Sequence, residues 1–439
     1  MASECHSWRS LAKMYTKLTT MFALILVTMA LFNIASSHTK SNYVVIVDAG
    51  GSSSKLRVYT CVKNKHSHVS DVELNFTKTF PPGISSFHNN ETALKIYLKN
   101  IIEEAKKIVP EEQMKSTSLY LMGTAGMRLV PDKDKLIENI NRVLEDSINP
   151  FHYNSSNVKI LPGRDEGVYA WVALNYLLGN FHSNKSHSSF AGILEMGSRS
   201  TQIAFTPEET MSKKGFDVYF ASRKFEVYSQ SYLQYGTEGL PIRIVQDRCK
   251  NCKDQLIKDS CAMTDDIINV TLDSGNHNTL KGHFNFSSCE SLLTSLAPKK
   301  DHCDPHFCAV VNAIQPSIPK IKFYATQTFD IAPKVFHAFM SDNETLDMNL
   351  LKKNTKRNCE KNIAEIDAKH KKFASSNCLL GMFMPVLLNK TYGFPMDTNQ
   401  IIVTSKIHGK SIDWSLGAAL MELGAQEKGR HSYRVDKRR

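Results

Sequence analysis

Long apolar runs are almost missing from this sequence of 439 residues. Residues 21–35, MFALILVTMALFNIA, are the only stretch apolar enough to meet a bilayer, which excludes a chain that crosses the membrane many times. No basic patch interleaved with aromatics occurs, so the footprint of a nucleic-acid binder is absent. The net charge of +11 is spread along the chain, apart from 352–372 and the tail 430–439. That balance suits an anionic substrate, although solvated faces account for most such lysines. No second close cysteine pair of matching form follows Cys249-Lys250-Asn251-Cys252, which removes half of a four-cysteine zinc site. No low-complexity linker divides the chain, and its length allows two substantial domains with their own cores.

What is present points to the secretory route. Arg9, Lys13 and Lys17 precede the apolar segment, which reads either as a signal peptide with a basic front or as a type II anchor. Its length of about 15 residues, against the roughly 20 of a spanning helix, and the small residues Ala35-Ser36-Ser37 favour cleavage and secretion. Asn-x-Ser/Thr sequons begin at Asn75, Asn90, Asn154, Asn184, Asn269, Asn285, Asn343 and Asn389. Cys249, Cys252, Cys261, Cys289, Cys303, Cys308, Cys359 and Cys378 crowd the second half, as in an oxidised domain stapled by disulfides. Cys61 is the odd thiol, expected to be buried on its strand.

Two hairpins carry the chemistry. Residues 44–59, VVIVDAGGSSSKLRVY, run from a buried β-branched strand into Asp48, then through glycines and serines into a strand alternating Leu56 and Val58 with Lys55 and Arg57. Residues 191–205, AGILEMGSRSTQIAF, repeat the plan with Glu195 as the acid. Glycine lets backbone amides approach an anion, and short hydroxyls add donors. Two such hairpins facing each other suit a polyphosphate, with the two acids holding a divalent cation between them through its waters. Each hairpin alone fits any α/β protein; the pair points to a phosphate cleft.

Between and after them the pattern alternates. A helix over 92–109, a strand over 118–122, a helix over 133–144 and a strand over 158–161 complete one α/β unit. Asp165 and Glu166 open a helix over 163–179, following a strand and Gly163, where α/β folds hang catalytic groups. Residues 248–308 look less regular. Helices over 351–373 and 378–388, a strand over 400–405 and a helix over 414–423 follow.

Together these residues resemble the apyrase, or ecto-nucleoside triphosphate diphosphohydrolase, family of the actin/Hsp70/sugar-kinase superfamily. The likeness runs from Tyr43 to about Leu423. Its specific parts are Thr124-Ala125-Gly126-Met127-Arg128, Asp165-Glu166-Gly167 with Trp171 and Asn175-Tyr176-Leu177, Ser200-Thr201-Gln202-Ile203-Ala204-Phe205, Ser231-Tyr232-Leu233-Gln234-Tyr235-Gly236 and Trp414-Ser415-Leu416-Gly417. The resemblance implies an α/β fold of two actin-like (ribonuclease H-like) lobes around a nucleotide cleft. Residues 1–40 would be the signal peptide or anchor, 41–161 the N-terminal lobe completed by about 403–439, and 162–402 the C-terminal lobe with a disulfide-rich insertion. It also implies removal of the terminal phosphate of ATP, ADP and other nucleoside tri- and diphosphates outside the cell or in a lumen, dependent on Ca2+ or Mg2+. Glu166 would be the base and Gln202 would orient the water, with Ser200 and Thr124 donating to the attacked phosphate. Ser52 and Ser54 correspond to the family's phosphate-binding hydroxyls, and Gly50, Gly197 and Ser198 lie in the same two turns. Arg128 would be a phosphate or structural partner, and Asp48 and Glu195 would hold the metal through water. Tyr392 matches a residue that sandwiches the base, its counterpart lying near 323–329; core packing is the alternative for both.

The chain departs from that family at both turns. Gly51 stands where a serine is usual, and Glu195-Met196-Gly197-Ser198-Arg199-Ser200 replaces Asp-Leu-Gly-Gly-Ala-Ser. Glutamate reaches one methylene further, which a water-mediated metal contact absorbs. Arg199 either binds phosphate oxygens itself or crowds the cleft. The rival function is therefore a catalytically impaired, nucleotide-sequestering homologue.

Overall fold

In the computed structural model the described residues are 42–62, 71–146, 148–181, 190–208, 216–221, 223–249, 253–297 and 315–428. The first sheet is built by β1 (Asn42–Ala49), β2 (Ser54–Val62), β3 (Asp71–Phe80), β4 (Ser118–Gly123) and β5 (Val158–Ile160), in the order β3-β2-β1-β4-β5. β1 and β2 form the antiparallel hairpin, while β4 runs parallel to β1 and β5 parallel to β4. The chain then makes β6 (Gly192–Met196), β7 (Ser200–Phe205), β8 (Phe216–Phe220) and β9 (Arg223–Leu233). A separate small sheet follows, of β10 (Leu256–Asp259), β11 (Ile267–Thr271) and β12 (His277–Gly282), before β13 (Phe323–Gln327) and β14 (Ile401–Val403). The second large sheet has the order β14-β13-β6-β7-β9-β8. Apart from the edge strand β8 this is the first sheet over again: hairpin partner and third strand on one side, two parallel strands on the other. Two actin-like lobes are the result, and the described residues from Asn42 on form one compact unit.

Side-chain alternation explains the layering. Val44 and Ile46 of β1 point to one face and Val45 and Val47 to the other, all almost fully buried, each worth about 1.5–3 kcal/mol of transfer free energy. Val45 and Val47 join Leu94, Leu98, Leu136 and Ile140 of the helices Glu91–Lys106 and Lys133–Glu145. Val44 and Ile46 meet the helices Gly163–Leu177 and Trp414–Lys428, whose other side packs on Ile193 and Ala204 of the second sheet. These two helices lie between the sheets and touch closely, since a Cβ on Gly417 would stand 1.9 Å from the Tyr169 carbonyl oxygen.

Several boundaries differ from expectation. The helix expected over 163–179 ends at Leu177, with Gly179 at φ +70 just beyond it. The helix expected over 351–373 stops at Cys359, because Asn362 and Glu365 form a capping box that starts a new turn. Residues 248–308, expected to be less regular, contain β10 to β12 and the helix Phe286–Leu296, tied to the sheet by the Cys261 to Cys289 disulfide. A second disulfide joins Cys359 to Cys378, and Cys249 is disulfide-bonded too, which takes that cysteine out of any zinc site. Cys61 is buried on β2. The apolar segment 21–35, Asn184, Cys252, Cys303 and Cys308 lie outside the described residues. Among the described residues no helix is long and apolar enough to cross a membrane.

Candidate active site

Because the two sheets repeat one topology, the two acids occupy equivalent places at the carboxyl ends of the first strands. Asp48 pairs with Lys55 across the first hairpin, and Glu195 with Gln202 across the second. Both carboxylates are buried. Burial pushes the Asp48 carboxyl up to about 6, against the pull of Arg57, with Asp413 and Glu166 adding repulsion. Burial likewise carries Glu195 well above the usual carboxylate range, reinforced by the charges of Glu166, Asp413 and Asp48. Asp48, Glu166 and Glu195 therefore share one electrostatic neighbourhood rather than separate surfaces.

Glu166 reaches that neighbourhood through the glycine beside it. A Cβ on Gly167 would stand 2.4 Å from Ser229 Oγ and 3.5 Å from Gln202 Cβ, so the first turn of the helix lies directly on β7 and β9. Ser229 Oγ also donates to the Arg164 carbonyl at 2.7 Å. On the strand, Gln202 donates from Nε2 to Ser200 Oγ at 2.7 Å and to Ser231 Oγ at 3.1 Å, which fixes the amide and leaves its oxygen as an acceptor. Arg128 ion-pairs with Glu166 through Nη2 and donates from Nε to the Leu161 carbonyl at 2.7 Å. Thr124 ends β4 against the first hairpin, its backbone N–H donating to the Ala49 carbonyl at 3.1 Å.

The turns themselves meet. Gly51 lies between Gly126 and the side chains of Ser198 and Arg199. Ser52 is exposed there. Ser54 is 0% exposed and sits against Tyr97 on the far face of the hairpin, so it presents no atom to the cleft. Gly197 and Ser198 are stitched to the start of the helix Gly239–Arg248 through Thr237 N–H to the Gly197 carbonyl at 3.2 Å and Glu238 N–H to the Ser198 carbonyl at 2.7 Å. Tyr392 is also 0% exposed, its ring 5.9 Å from Tyr232 and its hydroxyl 3.2 Å from Thr201 Oγ1. Phe323 packs on Phe205 and Phe394. Core packing therefore describes Tyr392, Phe323 and Phe329, while Tyr324 in the second stretch is only partly buried.

Sequence reasoning missed three partners. Arg57, placed by alternation on the polar side of β2, is buried and bridges Asp48, at 3.3 Å, and Asp413. Asp413 is held below its ordinary range although burial opposes this, because Arg57, the Ser415 hydroxyl and Lys55 outweigh it. Gln327 donates to Glu195 Oε1, while Glu195 Oε2 is buried with no hydrogen-bond partner. A buried, partnerless carboxylate oxygen within the electrostatic reach of further carboxylates is what a divalent cation would relieve, so the donor set fits one. No group of three or more His, Cys, Asp or Glu side chains among the described residues is arranged to hold an ion. Asp48 and Glu195 would accordingly leave an ion most of its waters and its contacts to substrate oxygens.

Two sheets of one topology, each with an acid-tipped, hydroxyl-bearing hairpin, and a carboxylate at a helix start beside them, suit an enzyme that works on phosphate groups. The comparisons narrow it. The sequence matches the GDA1/CD39 (nucleoside phosphatase) family over residues 34–431. It is 30% identical over 426 residues to nucleoside-triphosphatase ntp-1 of Caenorhabditis elegans, covering 87% of this chain and 74% of that one. Probable apyrase 3 of Arabidopsis thaliana is 26% identical over 416 residues, covering 89% of this chain and 84% of the relative. A nucleoside triphosphate hydrolase structure from Neospora caninum has the same fold, with a TM-score of 0.66 at 13% identity, covering 94% of this chain and 98% of that one. The chain belongs to the GDA1/CD39 family and is an enzyme.

Proposed function

We propose that the protein strips the terminal phosphate from nucleoside tri- and diphosphates, taking ATP and ADP to AMP. The observation that carries this reading is the seating of Glu166 on the Gln202–Ser200 strand, in electrostatic reach of the facing Asp48 and Glu195. Water attacks the terminal phosphorus, the bond from phosphorus to the bridging oxygen breaks, and Glu166 takes the proton of the attacking water. Gln202 accepts that water's other hydrogen, since its amide nitrogen is already committed to Ser200 and Ser231. Arg128 fixes the direction of the Glu166 carboxylate. The Ser200 hydroxyl and the backbone amides of Ser52 and Ser198 donate to phosphate oxygens, joined by the Thr124 hydroxyl when it leaves the Ala49 carbonyl oxygen 3.4 Å away, while the N–H groups of Gly50 and Gly197 are spent on the Asp48 and Ser200 carbonyls. Ca2+ or Mg2+, held through water by Asp48 and Glu195, would supply positive charge to the phosphate chain.

The apolar front, the disulfides and the exposed sequon asparagines Asn75, Asn90, Asn154, Asn269, Asn285 and Asn343 support a secreted or lumenally facing enzyme. Asn389 differs, because its amide donates to the Phe394 carbonyl at 2.8 Å. Glycan mapping of the natural protein should find sugar at exposed sites and none at Asn389; an unmodified protein with a retained, unprocessed front contradicts that location. The turn residues Gly51, Ser198 and Arg199 motivate a second reading, a nucleotide-sequestering homologue, which the family match does not favour. Phosphate release from a panel of nucleoside tri- and diphosphates, with Ca2+, Mg2+ or chelator, decides between them. Release that chelator stops supports the hydrolase; tight binding with no release overturns it.

A further inference from the structure

We propose that Gly51 and Arg199 form an interlock that sets the spacing of the two phosphate-holding hairpins, with Arg199 as a positioning residue. The inference rests on the hydrolase reading. A Cβ on Gly51 would stand 2.8 Å from Arg199 Cγ and 3.2 Å from Ser198 Oγ, closer than packed carbons tolerate, so the arginine stem occupies the space that any side chain at 51 would fill. Neither side can give way cheaply. Gly51 is backed by Gly126, whose Cβ would stand 2.3 Å from Gly51 Cα, and by Gly83, whose Cβ would stand 2.4 Å from the Gly51 carbonyl oxygen.

Arg199 is anchored from the other lobe. Its Nη2 donates to Asp273 Oδ1 at 3.0 Å, and Asp273 Oδ2 accepts from Gln234 Nε2 at 2.7 Å. The Arg199 carbonyl accepts from the Gln234 backbone N–H, and Glu238 lies 3.9 Å from Nε. Asp273 sits in the turn between β11 and β12, beside the buried Leu272 of the second lobe's core. The disulfide-bearing insertion thus holds the arginine head, and the arginine stem rests on the first lobe's phosphate turn. The bare Gly51 and the Arg199 stem are two halves of one fit, which keeps both turns at working distance.

The test is a double-mutant cycle on the full chain, read by phosphate release from ADP and by thermal melting. Gly51→Ser should lower kcat/KM by about tenfold or more and lower Tm, because the stem must be displaced. In the Arg199→Ala background the same serine should cost clearly less in both, since only the 3.2 Å approach to Ser198 Oγ remains. Arg199→Met, which keeps the stem and drops the charge, should stay within about threefold of wild type in kcat/KM. Additive effects of the two substitutions, or an Arg199→Met variant as impaired as Arg199→Ala, overturn the interlock. Should wild type release no phosphate, the hydrolase reading fails, while the melting cycle still decides the interlock.

Discussion

Glu195 brings one carboxylate oxygen to Gln327 and leaves the other buried without a partner, at a place where three more carboxylates add to the repulsion. Without a cation such a charge weakens the fold; with one it becomes a ligand. Glu195→Gln removes the charge at nearly constant shape. In chelator, the variant should therefore melt at or above wild type, while the rise in Tm that Ca2+ or Mg2+ gives wild type should shrink or vanish. Differential scanning fluorimetry with and without ion checks both, and an undiminished metal-dependent rise removes Glu195 from the ion site. At this scale the strand-end places of Asp48 and Glu195 were legible in sequence order, whereas Gln202 was pointed to only by the family resemblance. Arg57 was not: strand alternation assigns it to the polar side, and only its partner Asp413, distant in sequence, shows why that side is closed.

At the scale of elements, the helix Gly163–Leu177 was readable from its glycine, its paired acids and the apolar run behind them. Its docking was not, since what fixes it is the absence of a side chain at Gly167 against Ser229. Gly167→Ala should push the first turn off β9 and carry Glu166 away from Gln202. A fall in kcat of about tenfold or more is expected, with destabilisation of about 1–3 kcal/mol despite alanine's better helix propensity. Steady-state kinetics and chemical denaturation measure the two effects, and an alanine variant with unchanged kcat means the helix does not position the base. Strands β10 to β12 escaped the sequence reading for a different reason. They are 4–6 residues long, and their outer faces carry Lys258, Asn269, Thr271, His277 and Lys281, so little apolar rhythm marks them.

For the whole molecule, the repeated strand order places the two hairpins symmetrically, and that symmetry was foreshadowed by two similar stretches of sequence 147 residues apart, as the positions of Asp48 and Glu195 give. The aromatic stretches were less informative. Tyr392 and Phe323 fit both a base platform and a core until burial separates the two, and no local pattern encodes burial. The central claim is that Glu166, in electrostatic reach of Asp48 and Glu195, takes the proton of the attacking water. The most direct measurement is single-turnover phosphate release from ATP by Glu166→Gln in Ca2+ or Mg2+, run beside nucleotide binding by the same protein. The account predicts that release falls by about a hundredfold to ten-thousandfold while binding persists; release at the wild-type rate would contradict it.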